Sequence, residues 1–366
     1  MIRQLLLKTY RSFESYAIRD LTRVNLLVGR NNSGKTSILE SVHLLASQGD
    51  PTVLVQSTRR RGEIPAKIGT DRSDGLRRHE LHDVSQQFFG RRLQVGAEFR
   101  ISSKDRLGHV SAMIRPAEES DSKDLLEVDT DDLQTLVLRL GGSNRDPIDI
   151  PVNADGSLTL TRRVLLRAAS RAPQETQLVR FLSTESAGLG SLAEMWDDVQ
   201  RAGRESEVID ALRILETDLG SIHFLAAPRR YGEASSGILL GFEPGTPRVP
   251  LGSHGDGSRR LLAISLSLTQ LTNGFLLVDE IDTGLHWTVM EDMWRLVVET
   301  TRKSRTQIFA TTHSYDCVRG LASLLASRPD LAEEVSIQKI ERSLARAVAF
   351  DADRIRAAVK HGIELR

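Results

Sequence analysis

The eight residues Gly29-Arg30-Asn31-Asn32-Ser33-Gly34-Lys35-Thr36 have the spacing G-x-x-x-x-G-K-[ST]. Glycines at these positions let a loop fold its backbone N–H groups round phosphate oxygens, and a following helix adds its partly positive end. Gly29, Asn31, Asn32, Ser33, Gly34 and Ser37 would form the cradle. Lys35 would reach the β- and γ-phosphates, and the Thr36 hydroxyl would sit on Mg²⁺. Only 8 of the 49 positively charged residues are lysine. With these residue frequencies, roughly 0.007 chance matches to the pattern are expected over the chain.

A phosphate loop alone does not say what the nucleotide is for. The apolar run Phe275-Leu276-Leu277-Val278 ends in two carboxylates, Asp279 and Glu280. Asp279 is placed to hold Mg²⁺ through water, and Glu280 to orient or deprotonate the attacking water. Ile281-Asp282-Thr283-Gly284-Leu285-His286 follows, and a second apolar run ends Ala310-Thr311-Thr312-His313-Ser314. Two strands with polar tips on either side of one helix put both tips at one sheet edge, where open α/β sheets bind ligands. His313 is thereby a candidate γ-phosphate sensor. The turn Leu251-Gly252-Ser253-His254-Gly255-Asp256-Gly257-Ser258 before a helix is a second anion site. Two such sites far apart in one chain predict a nucleotide sandwiched between two copies.

The elements that must position these residues are legible as periodicity. Residues 2–8 and 22–28 read as short strands, and the second runs through the glycine loop into a helix with Ile38, Leu39, Val42 and Leu45 on one face. Residues 49–90 are rich in Arg, Ser and Gly, with a short helix expected near Phe88. Strand-like segments continue to about 166, interrupted by an acidic stretch at 117–132, and helical spacing returns between 191 and 220. A helix at 257–272, a buried strand at 275–278, a long helix from Trp287 to Ser304 and a further buried strand complete the pattern. Buried strands separated by helices predict an α/β fold with a sheet covered on both faces. The expected organisation is a first lobe at 1–115 carrying the phosphate loop, a central β and helical insertion at 116–217, and a second lobe at 218–366. Trp287 and Trp294, seven apart, are expected on one helix face in the core, and Cys317 is expected to be inert in an apolar helix.

Composition sets the outer limits. The 366 residues carry 49 Lys+Arg against 49 Asp+Glu, so no histone-like affinity for nucleic acid is expected of the whole molecule. A single cysteine excludes an internal disulfide framework and fits a reducing cytoplasm. No apolar run approaches the ~18 residues of a membrane span, and no signal peptide is expected at the start. The arginine clusters at 59–61, 77–78, 91–92, 162–163 and 229–230 could face DNA, but equal acid makes a salt-bridged surface the better expectation. Asp129-Thr130-Asp131 superficially resembles a nuclease metal motif, yet it lies in the acidic stretch and reads as a solvated loop. No N-K-x-D guanine-reading motif occurs, which disfavours a GTPase switch.

Taken together, KTYRSF (8–13), GRNNSGKTS, PLGSHGDGSRRLLAISLSL, LLVDEIDTGLH and QIFATTHS resemble the ABC-type ATPase heads of the RecF, SMC and OLD (overcoming lysogenization defect) group. More narrowly, the chain resembles stand-alone bacterial AAA-family ATPases related to the OLD ATPase domain, from its start to the closing GIELR. The resemblance implies an ABC-type P-loop NTPase head, a mixed sheet flanked by helices plus an antiparallel β lobe. It also implies an ATP-linked homodimer, with Lys35 and Thr36 of one copy holding ATP–Mg²⁺ and Ser253 and Gly255 of the other meeting the γ-phosphate. Asp282 would lie in the loop that crosses the dimer, and His313 would be the switch histidine. The effector implied is a separately encoded Toprim-like nuclease in phage defence; the alternative is a RecF-like DNA clamp. The turn SHGDG departs from the family's LSGGQ/E by placing His254 where a glycine is usual. The family's phosphate-sensing glutamine has Gln86 and Gln87 as candidates, beside Gln56 and Gln94.

Overall fold

The computed structural model describes residues 1–63, 82–118, 136–153, 155–158, 160–173, 177–184, 188–225, 237–242 and 245–365. The expectations for Asp129-Thr130-Asp131 and for the arginine pairs at 77–78 and 229–230 fall outside these residues.

The centre of the fold is a six-stranded sheet in the order β10 (Val179–Leu182), β14 (Phe275–Val278), β15 (Gln307–Thr311), β3 (Val24–Val28), β16 (Val335–Lys339) and β17 (Val348–Phe350). The first five run parallel and β17 is antiparallel. Side chains alternate across a strand, and here the alternation divides two cores. Val24, Leu26, Leu276, Val278, Ile308 and Ala310 belong to one; Leu27, Phe275, Leu277 and Phe309 belong to the other. Burial on both faces explains why these segments read as unbroken apolar runs.

The first core is completed by helices α6 (Gly255–Gln270), α7 (Met290–Ser304) and α8 (Tyr315–Ser327). The second lies between the parallel sheet, helix α1 (Lys35–Ala46) and an eight-stranded antiparallel sheet. That sheet has the order β2 (Phe13–Ile18), β1 (Leu5–Tyr10), β5 (Glu98–Ser103), β6 (His109–Pro116), β7 (Leu136–Gly142), β8 (Arg145–Val152), β9 (Ser157–Leu158) and β4 (His82–Asp83). The division at residue 116 therefore falls between hydrogen-bonded neighbours, with Ile114 opposite Leu138. A small three-stranded sheet joins β11 (Ser221–Phe224), β12 (Ile238–Gly241) and β13 (Val249–Pro250). The remaining helices are α2 (Pro51–Arg60), α3 (Arg162–Ser170), α4 (Leu189–Arg201), α5 (Glu205–Leu212) and α9 (Ala352–Lys360).

Two local expectations are corrected. The segment near Phe88 forms two 3-10 turns, Ser85–Gln87 and Phe89–Arg91, separated by the extended Phe88, and Gly90 at φ 73° kinks the second. Trp287 is not in the core: it sits in a 3-10 turn ahead of α7 and is 57% exposed. Trp294 is fully buried and donates its Nε1–H to the Cys317 carbonyl at 2.9 Å. Cys317 is buried, and burial pushes its thiol well above the usual range.

Helices α7 and α8 approach closely at Gly320, where a Cβ would overlap the Cβ and backbone of Met290. Since the neighbour is partly backbone, Gly320→Ala should cost about 1–3 kcal/mol through overpacking. A thermal melt showing no decrease in Tm would contradict this packing.

Candidate active site

The phosphate loop leaves the tip of β3 and enters α1 at Lys35. Gly34 caps the helix at φ 100°, in the left-handed region, and its α-carbon lies against the ring of Phe13 from β2. A side chain there would meet both backbone strain and that ring, so only glycine fits. Ser33 is buried, and its hydroxyl has no hydrogen-bond partner among the described residues. Asn31 and Asn32 are exposed on the outer turn, and the Asn32 carbonyl accepts from Arg342 at 3.3 Å. The Lys35 ammonium donates to the loop's own carbonyls, Gly29 at 2.8 Å and Arg30 at 3.0 Å. Burial lowers its pKa to about 8, against the upward pull of Asp279 and Glu280.

The tips of β14 and β15 lie beside this loop, as their parallel register requires. Thr36 Oγ1 donates to the Asp279 carboxylate at 3.1 Å, and Thr311 Oγ1 donates to its Oδ1 at 2.6 Å. The Thr311 hydroxyl also accepts the Glu280 N–H at 2.8 Å. Glu280 has φ 51°, a left-handed conformation uncommon outside glycine. Its carboxylate lies 3.8 Å from His313 Nε2. Burial, and next the nearby Lys35 charge, hold the His313 pKa below the usual imidazole value.

Lys35, Thr36, Ser37, Asp279, Glu280 and His313 line one cavity of about 700 Å³. Gln86 lines it too, while Gln87 is buried and donates to Ser57 Oγ at 3.0 Å. Gln56 and Gln94 are exposed and do not line this cavity. Thr36 and Asp279 supply hard oxygen donors within hydrogen-bond distance of each other, and this donor set suits Mg²⁺. That ion commonly takes one or two protein oxygens and completes its shell with phosphate and water. Among the described residues no group of three or more His, Cys, Asp or Glu gathers as a denser metal site.

The turn before α6 lies elsewhere. Ser253 and Gly255 are exposed and do not line the cavity of their own chain. His254 is tied through Nδ1 to Glu216 Oε1 at 2.6 Å, which accounts for a side chain at that position of the turn. The turn packs on the loop after Glu280: a Cβ on Gly257 would lie 2.5 Å from the Gly284 carbonyl oxygen. Asp282 in that loop accepts from Thr312 Oγ1 at 2.6 Å.

Two contributors were not singled out from sequence. Thr311 sits inside the motif ATTHS, and its signal was a hydroxyl ending an otherwise apolar strand. Arg260 on α6 is buried and donates to the carbonyls of Ser183, Asp279 and Glu280. Nothing in its spacing separates it from the adjacent Arg259. On the other side, Arg11 and Arg61 flank the buried Glu40 of α1 at 2.9 and 2.8 Å, and Arg61 also donates to Ser37 Oγ at 3.2 Å.

Comparison with known proteins fits this geometry. The family described as "AAA domain, putative AbiEii toxin, Type IV TA system" matches residues 24–316. An ATP/GTP phosphatase of Helicobacter pylori is 20% identical over 355 residues, covering 92% of this chain and 91% of the relative. The SMC head domain of Thermotoga maritima is similar at 14% identity and TM-score 0.42, covering 96% of this chain and 98% of that one. An SMC head derived from Pyrococcus furiosus, bound to the C-terminal domain of ScpA, gives 12% identity and TM-score 0.45 with 99% of both chains covered. No described helix is long and apolar enough to cross a membrane. With a phosphate loop at the tip of a parallel sheet and a family match over residues 24–316, the chain belongs to this AAA domain family and is an ATPase with a P-loop α/β head.

Proposed function

We propose that the chain binds ATP–Mg²⁺ in the 700 Å³ cavity and hydrolyses it with Glu280 as the residue that orients and deprotonates water. The observation that carries this is the convergence of three elements at Asp279, which accepts from Thr36 on α1 and Thr311 on β15. Glu280 lies beside it in the same cavity as Lys35. The phosphate loop and Lys35 hold the triphosphate, and Thr36 and Asp279 hold the metal, which would neutralise charge on the phosphates. His313, whose Nε2 lies 3.8 Å from Glu280, would hydrogen-bond the γ-phosphate.

The cycle requires two copies. Ser253 and Gly255 are exposed away from their own cavity, so they reach a γ-phosphate only in a second molecule. Asp282 lies in the loop packed under that turn and would transmit closure between the sites. ATP-gated pairing then drives an effector, for which a separately encoded nuclease in phage defence is our reading. For the DNA-clamp alternative, the 59–61 cluster offers less than its composition suggests, because Arg61 is engaged by Glu40 and Ser37.

Glu280→Gln should retain ATP binding, slow turnover by about 100-fold or more, and accumulate an ATP-bound dimer in size-exclusion chromatography. Turnover at the wild-type rate would remove Glu280 from its role. Lys35→Ala should weaken ATP binding about 10- to 100-fold through the lost charge-assisted bonds, as read by calorimetry.

The pH dependence follows from Lys35. Phosphate stabilises its charged form, so the lysine pKa rises above its free value of about 8 when nucleotide binds. Below pH 8 the free lysine is already protonated and contributes no slope. Above it, binding must take up a proton, so ATP affinity should fall as pH rises through 8 to 10. Lys35→Arg should flatten that fall, and an equal fall in the arginine variant would assign the effect to another group.

A further inference from the structure

A second cavity, of about 460 Å³, lies over the free edge of the parallel sheet at β10. Helices α1 and α2 form one wall and α4 and α6 the other. Four arginines line it, Arg60, Arg180, Arg259 and Arg260, and no carboxylate does among the described residues. This contrasts with the rest of a chain whose charges balance and whose arginines repeatedly pair with acids.

The donors here have spare capacity. Arg60 lies over the Phe181 ring at 4.0 Å, and Arg180 donates to Gln270 Oε1 at 2.9 Å. Among the described residues neither has a carboxylate partner, and the buried Nε atoms of Arg180, Arg259 and Arg260 find no hydrogen-bond acceptor. His43, more than nine-tenths buried in the wall, has an unpartnered Nδ1. Burial, and next the Arg60 charge, bring its pKa down to about 4, against the opposing pull of Asp50. β10 is also an edge strand: the Leu178 and Leu182 carbonyls bond across to β14, so the amides of Val179 and Phe181 face outward.

Glu40 lies near Arg60, and Asp279, Asp282 and Glu280 near Arg260, yet no described carboxylate enters the space between the guanidinium groups, where an anion would join them. The planar fork of arginine suits phosphate oxygens in paired hydrogen bonds. We propose that this cavity is an anion site, distinct from the phosphate loop, that takes a small phosphate-type ligand: pyrophosphate or the phosphate end of a monoester. Its occupant bridges the walls, with Arg60 on the phosphate-loop side and Arg259 on the α6 side.

The test uses the full chain carrying Lys35→Ala, which weakens the first site, with inorganic pyrophosphate titrated by calorimetry. One pyrophosphate should bind per chain. Adding Arg180→Gln or Arg259→Gln should weaken it roughly tenfold or more, with Arg180→Lys retaining more affinity than Arg180→Gln. Wild-type protein should show two sites, and the double variant Arg180→Gln/Arg259→Gln one, which keeps the test valid should Lys35→Ala fold poorly. AMP in parallel identifies the source: tighter binding than pyrophosphate marks a nucleotide monoester, and weaker binding marks the free anion. Absence of a second site in wild type, or affinity unchanged in both arginine variants, overturns the proposal. Loss of ATP binding in Lys35→Ala bears on the first site alone, so the two readings fail separately.

Discussion

Everything at the nucleotide cavity depends on three strands that are buried on both faces. β3, β14 and β15 each divide their side chains between two apolar cores, so nearly every position within them must be apolar. Polar chemistry can be carried only where the strands end. Parallel pairing then puts the three C-terminal ends side by side, and the phosphate loop, Asp279-Glu280 and Thr311-Thr312-His313 meet because the sheet interior excludes them. The contact of Thr36 and Thr311 on one carboxylate follows from that exclusion.

Around this edge, neighbouring elements hold the carboxylate loop from several sides. Arg260 joins α6 to the carbonyls of both Asp279 and Glu280, so a rotation of α6 would move the loop carrying both carboxylates. Gly257 and Gly284 bring the first turn of α6 into backbone contact with the loop after Glu280, where a side chain on either would separate them. Glu280 itself is held in a left-handed conformation, with its amide fixed by Thr311. Such strain persists only when surrounding contacts over-determine it, and here Arg260, Thr311 and the glycine contact supply them.

Much of this edge was legible in the sequence, for a physical reason. A phosphate loop needs glycine where φ is positive and lysine where the helix starts, and Gly34 at φ 100° against Phe13 shows how little choice the chain has. The doubly buried strands were equally plain as short apolar runs. Legibility failed where a residue's meaning depends on what lies across the fold. Arg260 and Arg259 are identical neighbours in sequence, yet only Arg260 reaches the strand tip. Trp287 kept heptad spacing with Trp294, but the helix begins at Met290, after both the loop and a 3-10 turn, so the spacing did not carry it inward. The pairing of β6 with β7 could not be read because register is a long-range property.

The balance of charge is likewise a sum over unlike places. At one pole the buried Glu40 of α1 is clasped by Arg11, from the turn between β1 and β2, and by Arg61, just beyond α2. That carboxylate is compensated, and it fastens the phosphate-loop helix to the antiparallel sheet. One residue away from Arg61, Arg60 turns to the other face of the same helix end and covers an aromatic ring in a wall without acid. Arginine can serve both places because its guanidinium forks round a carboxylate in one and stacks flat in the other, while remaining charged in both. Lysine, a compact and strongly hydrated charge, does neither as well, and burial lowers its pKa, to about 8 at Lys35. The scarcity of lysine fits a fold in which the cations of the described ion pairs are arginines and two histidines.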